Sequence, residues 1–136
     1  MEIIAIPSFS PGGLNEYFHL EFGKCETFTF ITIEGNEITE VKAIENPAVE
    51  EPSGKGKQSA QIIKSYGAEK LIVSELGPNA SALVNSLNIT VYLGPTEEIT
   101  LKEVIKSYLK GNLKAVSPND LSKGVLNKDK KKRVKN

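Results

Sequence analysis

Thr27-Phe28-Thr29-Phe30-Ile31-Thr32-Ile33 leads through Glu34 into Gly35-Asn36, and a charged run from Ile38 to Ile44 follows. β-Branched and aromatic residues dominate the first run, so it reads as a strand. Gly35-Asn36 is a two-residue turn signal, and the next run returns as the second arm of a hairpin. Glu37, Glu40, Lys42 and Glu45 on that arm suit an edge strand that resists pairing with a neighbour. Upstream, Ile3-Ile4-Ala5-Ile6 is a short apolar run stopped by Pro7 and reads as a buried strand. Ser8 to Asn15 contains Pro11-Gly12-Gly13 and reads as a loop.

Downstream of the hairpin the period changes. Asn46 to Lys57 is rich in proline and glycine and reads as a mobile loop ending at a helix start. From Ser59, the residues Ala60, Ile62, Ile63 and Tyr66 have helical spacing, and Gly67 fits the stop. Leu71-Ile72-Val73 is a strand. Gly77-Pro78 opens a second helix, with Pro78 near the N1 position that tolerates it. Ala80, Leu83, Val84 and Leu87 form its buried stripe. Ile89 to Leu93 is the last strand. Thr100 and Glu103 match a capping box, followed by Leu101, Val104, Ile105, Tyr108 and Leu109 on one helix face and a stop at Gly111.

The predicted order is β-β-β-α-β-α-β-α. It calls for an α/β fold with a mixed, mostly parallel sheet and helices packed on it. Five strands in the order 3-2-1-4-5, with strand 2 antiparallel, and three helices satisfy these rules. That is the ribonuclease H-like three-layer topology. Residues 1–116 form the expected domain, and 117–136 a basic, disordered tail.

Composition narrows the classes. The chain has 136 residues, 39% hydrophobic and 25% charged, which is one ordinary globular domain. No apolar run approaches the ~18 residues of a membrane span. The N-terminus lacks the basic region of a signal peptide, and the single cysteine excludes an internal disulfide framework, so a cytoplasmic location is expected. The net charge of zero hides an asymmetry: Lys123 to Asn136 carries seven Lys/Arg and one Asp, hence +6, and the preceding residues carry −6. The tail is a solvated run or a weak nucleic-acid contact, whereas the acidic body argues against a basic groove.

Enzyme signatures are poor. There is no Walker loop, no Gly-x-Ser-x-Gly elbow and no His-Glu-x-x-His. A two-metal nuclease on this topology needs clustered carboxylates. The first strand offers only Glu2, and the two aspartates, Asp120 and Asp129, lie near or in the tail. The chain is therefore expected not to be an enzyme.

In open α/β sheets ligands bind beyond the carboxyl ends of the strands, where the strand order reverses. The facing loops are Pro7 to Asn15 and Ser74 to Asn79, and Gly54-Lys55-Gly56 can close over the same edge. Glycine permits close backbone approach, and helix N-termini offer N–H groups, so this edge predicts an anion pocket unless the glycines serve only as turns. Candidate metal ligands are His19, Glu21, Cys25 and Glu75. Too few His and Cys are present for a zinc pattern, and Cys25 and His19 have ordinary packing roles as the alternative.

Glu21-Phe22-Gly23-Lys24-Cys25-Glu26-Thr27-Phe28 resembles the His-Phe-Gly-Arg/Lys-Ala/Cys-x-x-Phe segment of the dinitrogenase iron-molybdenum cofactor biosynthesis family. Glu45-Asn46-Pro47, Gly54-Lys55-Gly56, Gly77-Pro78-Asn79-Ala80, Val91-Tyr92 and Gly111-Asn112-Leu113 match further family motifs in order, over roughly residues 1–115. The resemblance implies a ribonuclease H-like domain without nuclease chemistry. It implies a carrier of an iron-sulfur-type cluster or cofactor precursor, with donor or acceptor proteins as partners and a monomer or homodimer as the unit. On that basis Cys25 is expected as a ligand, assisted by His19 or Glu21. The backbone at Gly12, Gly13, Gly54, Gly56, Gly77, Pro78 and Asn79 would cradle the cluster. Two departures stand out. Glu21 takes the place where the family often has His, and Glu75 sits in the approach to Gly77. The alternative is a protein-interaction or regulatory domain that has lost cofactor binding.

Overall fold

The computed structural model describes residues 1–122. Its six strands are β1 (Glu2–Ser8), β2 (Thr27–Glu34), β3 (Glu37–Glu45), β4 (Lys70–Val73), β5 (Thr90–Leu93) and β6 (Lys114–Val116). Its helices are α1 (Lys55–Ser65), α2 (Pro78–Ser86), α3 (Leu101–Leu109) and α4 (Pro118–Ser122). Two 3₁₀ turns, Phe22–Lys24 and Pro47–Glu50, flank the hairpin. The sheet order is β3-β2-β1-β4-β5-β6. β1 pairs antiparallel with β2 and parallel with β4, as expected from the hairpin and the crossovers.

The hairpin turns because Gly35 and Asn36 both have positive φ, 58° and 67°, the left-handed pair that a two-residue turn with native strand twist requires. Apart from part-buried Ile44, β3 is exposed along its length, as an edge strand must be when its side chains are mostly charged. Alternation along β1 and β2 then sorts the core. Ala5, Phe28, Phe30, Leu71 and Val73 face α1 and α2, packing with Ile63 and Val84. Ile4, Ile6, Ile31, Ile33 and Ile72 face α3, packing with Leu101, Val104 and Ile105. Each such large side chain removed from water contributes about 1.5–3 kcal/mol.

Three features depart from the sequence reading. The sheet gains β6, antiparallel to β5, beyond the expected five strands. The segment from Pro118 forms α4, whose Leu121 joins the core beneath α2. The expected tail from residue 117 thus starts in a packed helix, and its basic part, 123–136, lies outside the described residues. Finally, α1 starts at Lys55 and not at the first apolar residue of its stripe, because Gly54 turns the chain at φ 75°. The capping box of α3 is present, with the Glu103 N–H donating to Thr100 Oγ1 and the Glu103 carboxylate accepting from the Thr100 N–H.

The amino ends of the parallel strands are tied together by side chains. Lys70 Nζ donates to Glu2 Oε1 at 2.6 Å and to the Tyr108 hydroxyl at 2.6 Å, and that hydroxyl donates to Glu2. The hydrogen bond from Lys70 holds the Glu2 carboxyl below its ordinary range. Burial, then the bond to Glu2, pushes the Tyr108 hydroxyl up to about 12. This clamp sits at the opposite end of the sheet from the loops discussed next.

Candidate functional site

The carboxyl ends of β1 and β4 are where the candidate loops were expected to meet. The structure divides them between the two faces of the sheet. Ser8, Thr27 and Thr29 share the α3-side face with Ile6 and Ile31, and the loop after β1 folds back over them. Gly12 lies there, where a Cβ would stand 2.8 Å from Ala43 Cβ and 2.9 Å from Thr27 Cγ2. The Gly13 N–H donates to Thr29 Oγ1 at 3.1 Å, and Ser10 Oγ is 2.7 Å from Thr27 Oγ1. Gly12 thus packs the loop against β2 and β3, and Gly13 ties it to β2 by a hydrogen bond. They are not brought together with the other candidate glycines.

Gly54, Gly56, Gly77, Pro78 and Asn79 do come together, on the opposite face. The first turns of α1 and α2 touch: a Cβ on Gly56 would stand 2.9 Å from Ala80 Cβ. The turn Phe22–Lys24 closes in from the side, where a Cβ on Gly23 would lie 3.2 Å from Gly56 N. Gly54 caps α1 and Gly77 caps α2, and no side chain caps either helix. Gly77, Pro78 and Asn79 are exposed, as are Gly54 and Lys24, and Lys55 is half-buried. Two glycine-capped helix starts therefore lie side by side. Their first-turn N–H groups, at Lys55 to Lys57 and at Asn79 and Ala80, meet no cap side chain. The partial positive ends of both helices add there, and two lysines stand at the rim. Gly23 was not singled out as a site residue. The signal was its place in the Phe-Gly-Lys segment, whose small residue lets the turn approach α1.

The expected metal ligands are not gathered. Cys25 is fully buried, and its thiol donates to Phe22 O at 3.1 Å. Burial pushes that thiol up from its ordinary 9.0 to about 12, with the Asn46 amide pulling weakly the other way. His19 Nδ1 accepts the Glu21 N–H at 3.0 Å, which leaves Nε2 to carry the proton of the neutral ring, and the ring lies against Phe9. Glu21 pairs with Lys24 at 3.5 Å on the surface. Glu75 lies two residues before Gly77 in the approach to α2. Among the described residues no three His, Cys, Asp or Glu side chains form a group able to hold a metal ion. Side-chain ligation of a cluster does not fit this arrangement, whereas the backbone cradle suits an anion that brings its own ligands.

Cys25 gives a direct test of the packing. At pH 8 native alkylation should be at least about 1,000-fold slower than in urea, because the thiolate is scarce and shielded. The folded value lies above the unfolded one. The stability this thiol contributes is therefore full below about pH 9 and falls as the pH approaches 12. Rapid native alkylation at pH 8 would refute the buried placement.

Among the described residues no helix is long and apolar enough to cross a membrane. An uncharacterized protein of Methanocaldococcus jannaschii, MJ0580, is 39% identical over 92 residues, covering 68% of this chain and 76% of that protein. The crystal structure of PH0822 superposes with a TM-score of 0.69 at 30% identity, over 84% of this chain and 96% of that one. The apo form of the orange protein from Desulfovibrio gigas shares the fold, with a TM-score of 0.75 at 23% identity over 86% and 94% of the two chains. The family described as dinitrogenase iron-molybdenum cofactor matches residues 2–111, and with its motifs lying on the sheet edge and helix starts laid out above, this chain belongs to that family.

Proposed function

We propose that this chain is a non-enzymatic carrier. It takes an anionic iron-sulfur-type cluster, or a cofactor precursor of that kind, as cargo at the joined N-termini of α1 and α2. The observation that carries the reading is the contact of two glycine-capped helix starts through Gly56 and Ala80. Membership of a cofactor family supports the cargo class. Helix N-termini attract anions by N–H donation and by the helix dipole. The cargo keeps its own sulfide ligands, and Lys24 and Lys55 balance its charge. A carrier of this kind receives from a donor protein and releases to an acceptor, so loose N–H contacts suit it better than several thiolate bonds.

Anaerobic reconstitution with iron and sulfide, followed by visible absorption, tests the reading. Gly77→Asp is the informative variant. Gly77 has φ −71° and open space around its Cα, so the substitution folds without strain. The new carboxylate would cap α2 and add a few tenths of a kcal/mol of stability. It would also occupy the N–H groups and repel an anion, so cluster binding should fall at least about tenfold, or about 1.4 kcal/mol. Cys25→Ala should keep its cluster absorbance. Unchanged binding in Gly77→Asp would sink the cradle, and loss in a folded Cys25→Ala would transfer the role to the thiol.

A further inference from the structure

The charge asymmetry of the chain has a spatial counterpart that the proposed cargo site does not use. Residues 26–51 hold seven glutamates and one lysine, so the net negative charge of the body is concentrated on β2, β3 and the turn after them. A groove of about 710 Å³ runs there between β3 and α1. The exposed residues Glu26, Glu45 and Glu50 line it, and its apolar wall includes Ile44, Ile62 and Tyr66. The one lysine of this region, Lys42, is already placed 5.5 Å over the Tyr66 ring, which shows that the wall accepts a cation.

We infer that this groove is a docking surface for the end of the chain's own basic C-terminal segment, Lys131 to Lys135. The opposite charges match in size: the segment after Ser122 carries +6 and residues 26–51 carry −6. Val134 among the lysines offers an apolar side chain to the wall. The geometry allows the reach. Helix α4 packs on α2 and α2 packs on α1, all on the face of the sheet that holds the groove. Neighbouring helix axes lie about 8–10 Å apart, so the groove beyond α1 is within about 30 Å of Ser122. Extended, the chain reaches about 20 Å from Ser122 at Lys128, about 30 Å at Lys131 and about 45 Å at Lys135, so the residues from Lys131 on cover that distance. A second copy of β3 is a poor occupant, since strand pairing would set glutamates against glutamates. The device gives the tail a second state: docked, its lysines are neutralised, and released, they are free for an external polyanion.

Zero-length carbodiimide cross-linking of the full chain at low concentration, read by mass spectrometry, tests this. Links from Lys131, Lys132 or Lys135 should fall on Glu26, Glu45 and Glu50 within one chain. They should drop severalfold in 1 M salt, where the screening length shrinks to about 3 Å. A second readout uses a short single-stranded DNA as a generic polyanion. The triple variant E26Q/E45Q/E50Q changes only exposed side chains and should bind it about 5- to 10-fold more tightly, with the tail set free. Links spread evenly over distant carboxylates such as Glu97, Glu98 and Glu103 would overturn the inference. So would links found only between chains, or DNA affinity unchanged by the triple variant.

Discussion

Asn46→Ala is expected to destabilise the protein by about 2–4 kcal/mol. Asn46 is 2% exposed, yet every polar atom of its side chain is used. Nδ2 donates to Cys25 O at 3.0 Å and to Ser59 Oγ at 3.1 Å, and Oδ1 accepts the Ala48 N–H at 3.1 Å. Its own N–H reaches Glu26 O at 2.9 Å. One amide thus joins the end of the Phe22–Lys24 turn before β2, the turn after β3, and α1. Alanine leaves the Cys25 carbonyl and the Ala48 N–H buried without partners, each costing about 1–3 kcal/mol, whereas the Ser59 hydroxyl can rotate. Thermal unfolding should shift down by roughly 10 °C for a chain of this size.

Asn46→Asp separates hydrogen bonding from volume. Its carboxylate would face the Cys25 carbonyl and sulfur with no proton to give, so at pH 7 it should cost at least as much as alanine. Burial raises the folded value of the new carboxyl above the unfolded one. The variant therefore recovers stability as the pH falls through that folded value, a trend that alanine cannot show. Equal losses for both variants at every pH would mean that the amide is not the joint. The joint also bears on the proposed cargo site. Asn46 holds Cys25 to Ser59, and so sets how the Phe22–Lys24 turn meets the first turn of α1 at Gly23 and Gly56.

What could be read from the sequence followed from period and punctuation. The hairpin was legible because Gly35-Asn36 can only be a left-handed turn between two β-rich runs. The strand order followed from the crossover rules once the alternation of helices and strands was known. β6 was not legible, because Lys114-Ala115-Val116 is too short to show alternation, and it exists through its pairing with β5. The early start of α1 was hidden by a polar first turn. At the candidate site the glycines were legible as special positions, but their grouping was not. Parity along β2 places Thr27 and Thr29 on the α3 side, yet only the folded chain shows that the loop after β1 lies down on them. Cys25 illustrates the same limit. Its residue type allowed a buried packing role and the family resemblance suggested a ligand, and its position behind Phe22 and Asn46 is a tertiary fact.

Gly12 and Gly13 allow that grouping to be tested by energies. Gly12 has φ 85° and Gly13 has φ 102°, so alanine at either position carries a left-handed strain of about 1–2 kcal/mol. The surroundings differ. A Cβ on Gly13 meets nothing within 4 Å, whereas one on Gly12 meets Ala43 Cβ at 2.8 Å, Thr27 Cγ2 at 2.9 Å and Thr29 Oγ1 at 3.0 Å. Those neighbours belong to paired strands and cannot swing away, so overpacking adds about 1–3 kcal/mol. Gly12→Ala should therefore lose about 2–5 kcal/mol in chemical denaturation, and Gly13→Ala only about 1–2. If these glycines serve packing, cluster affinity per folded molecule should be unchanged in both variants. If they touch the cargo, Gly13→Ala should lose affinity although its fold is nearly intact. That second result would bring the loop after β1 back into the site and require the cargo to span both faces of the sheet edge.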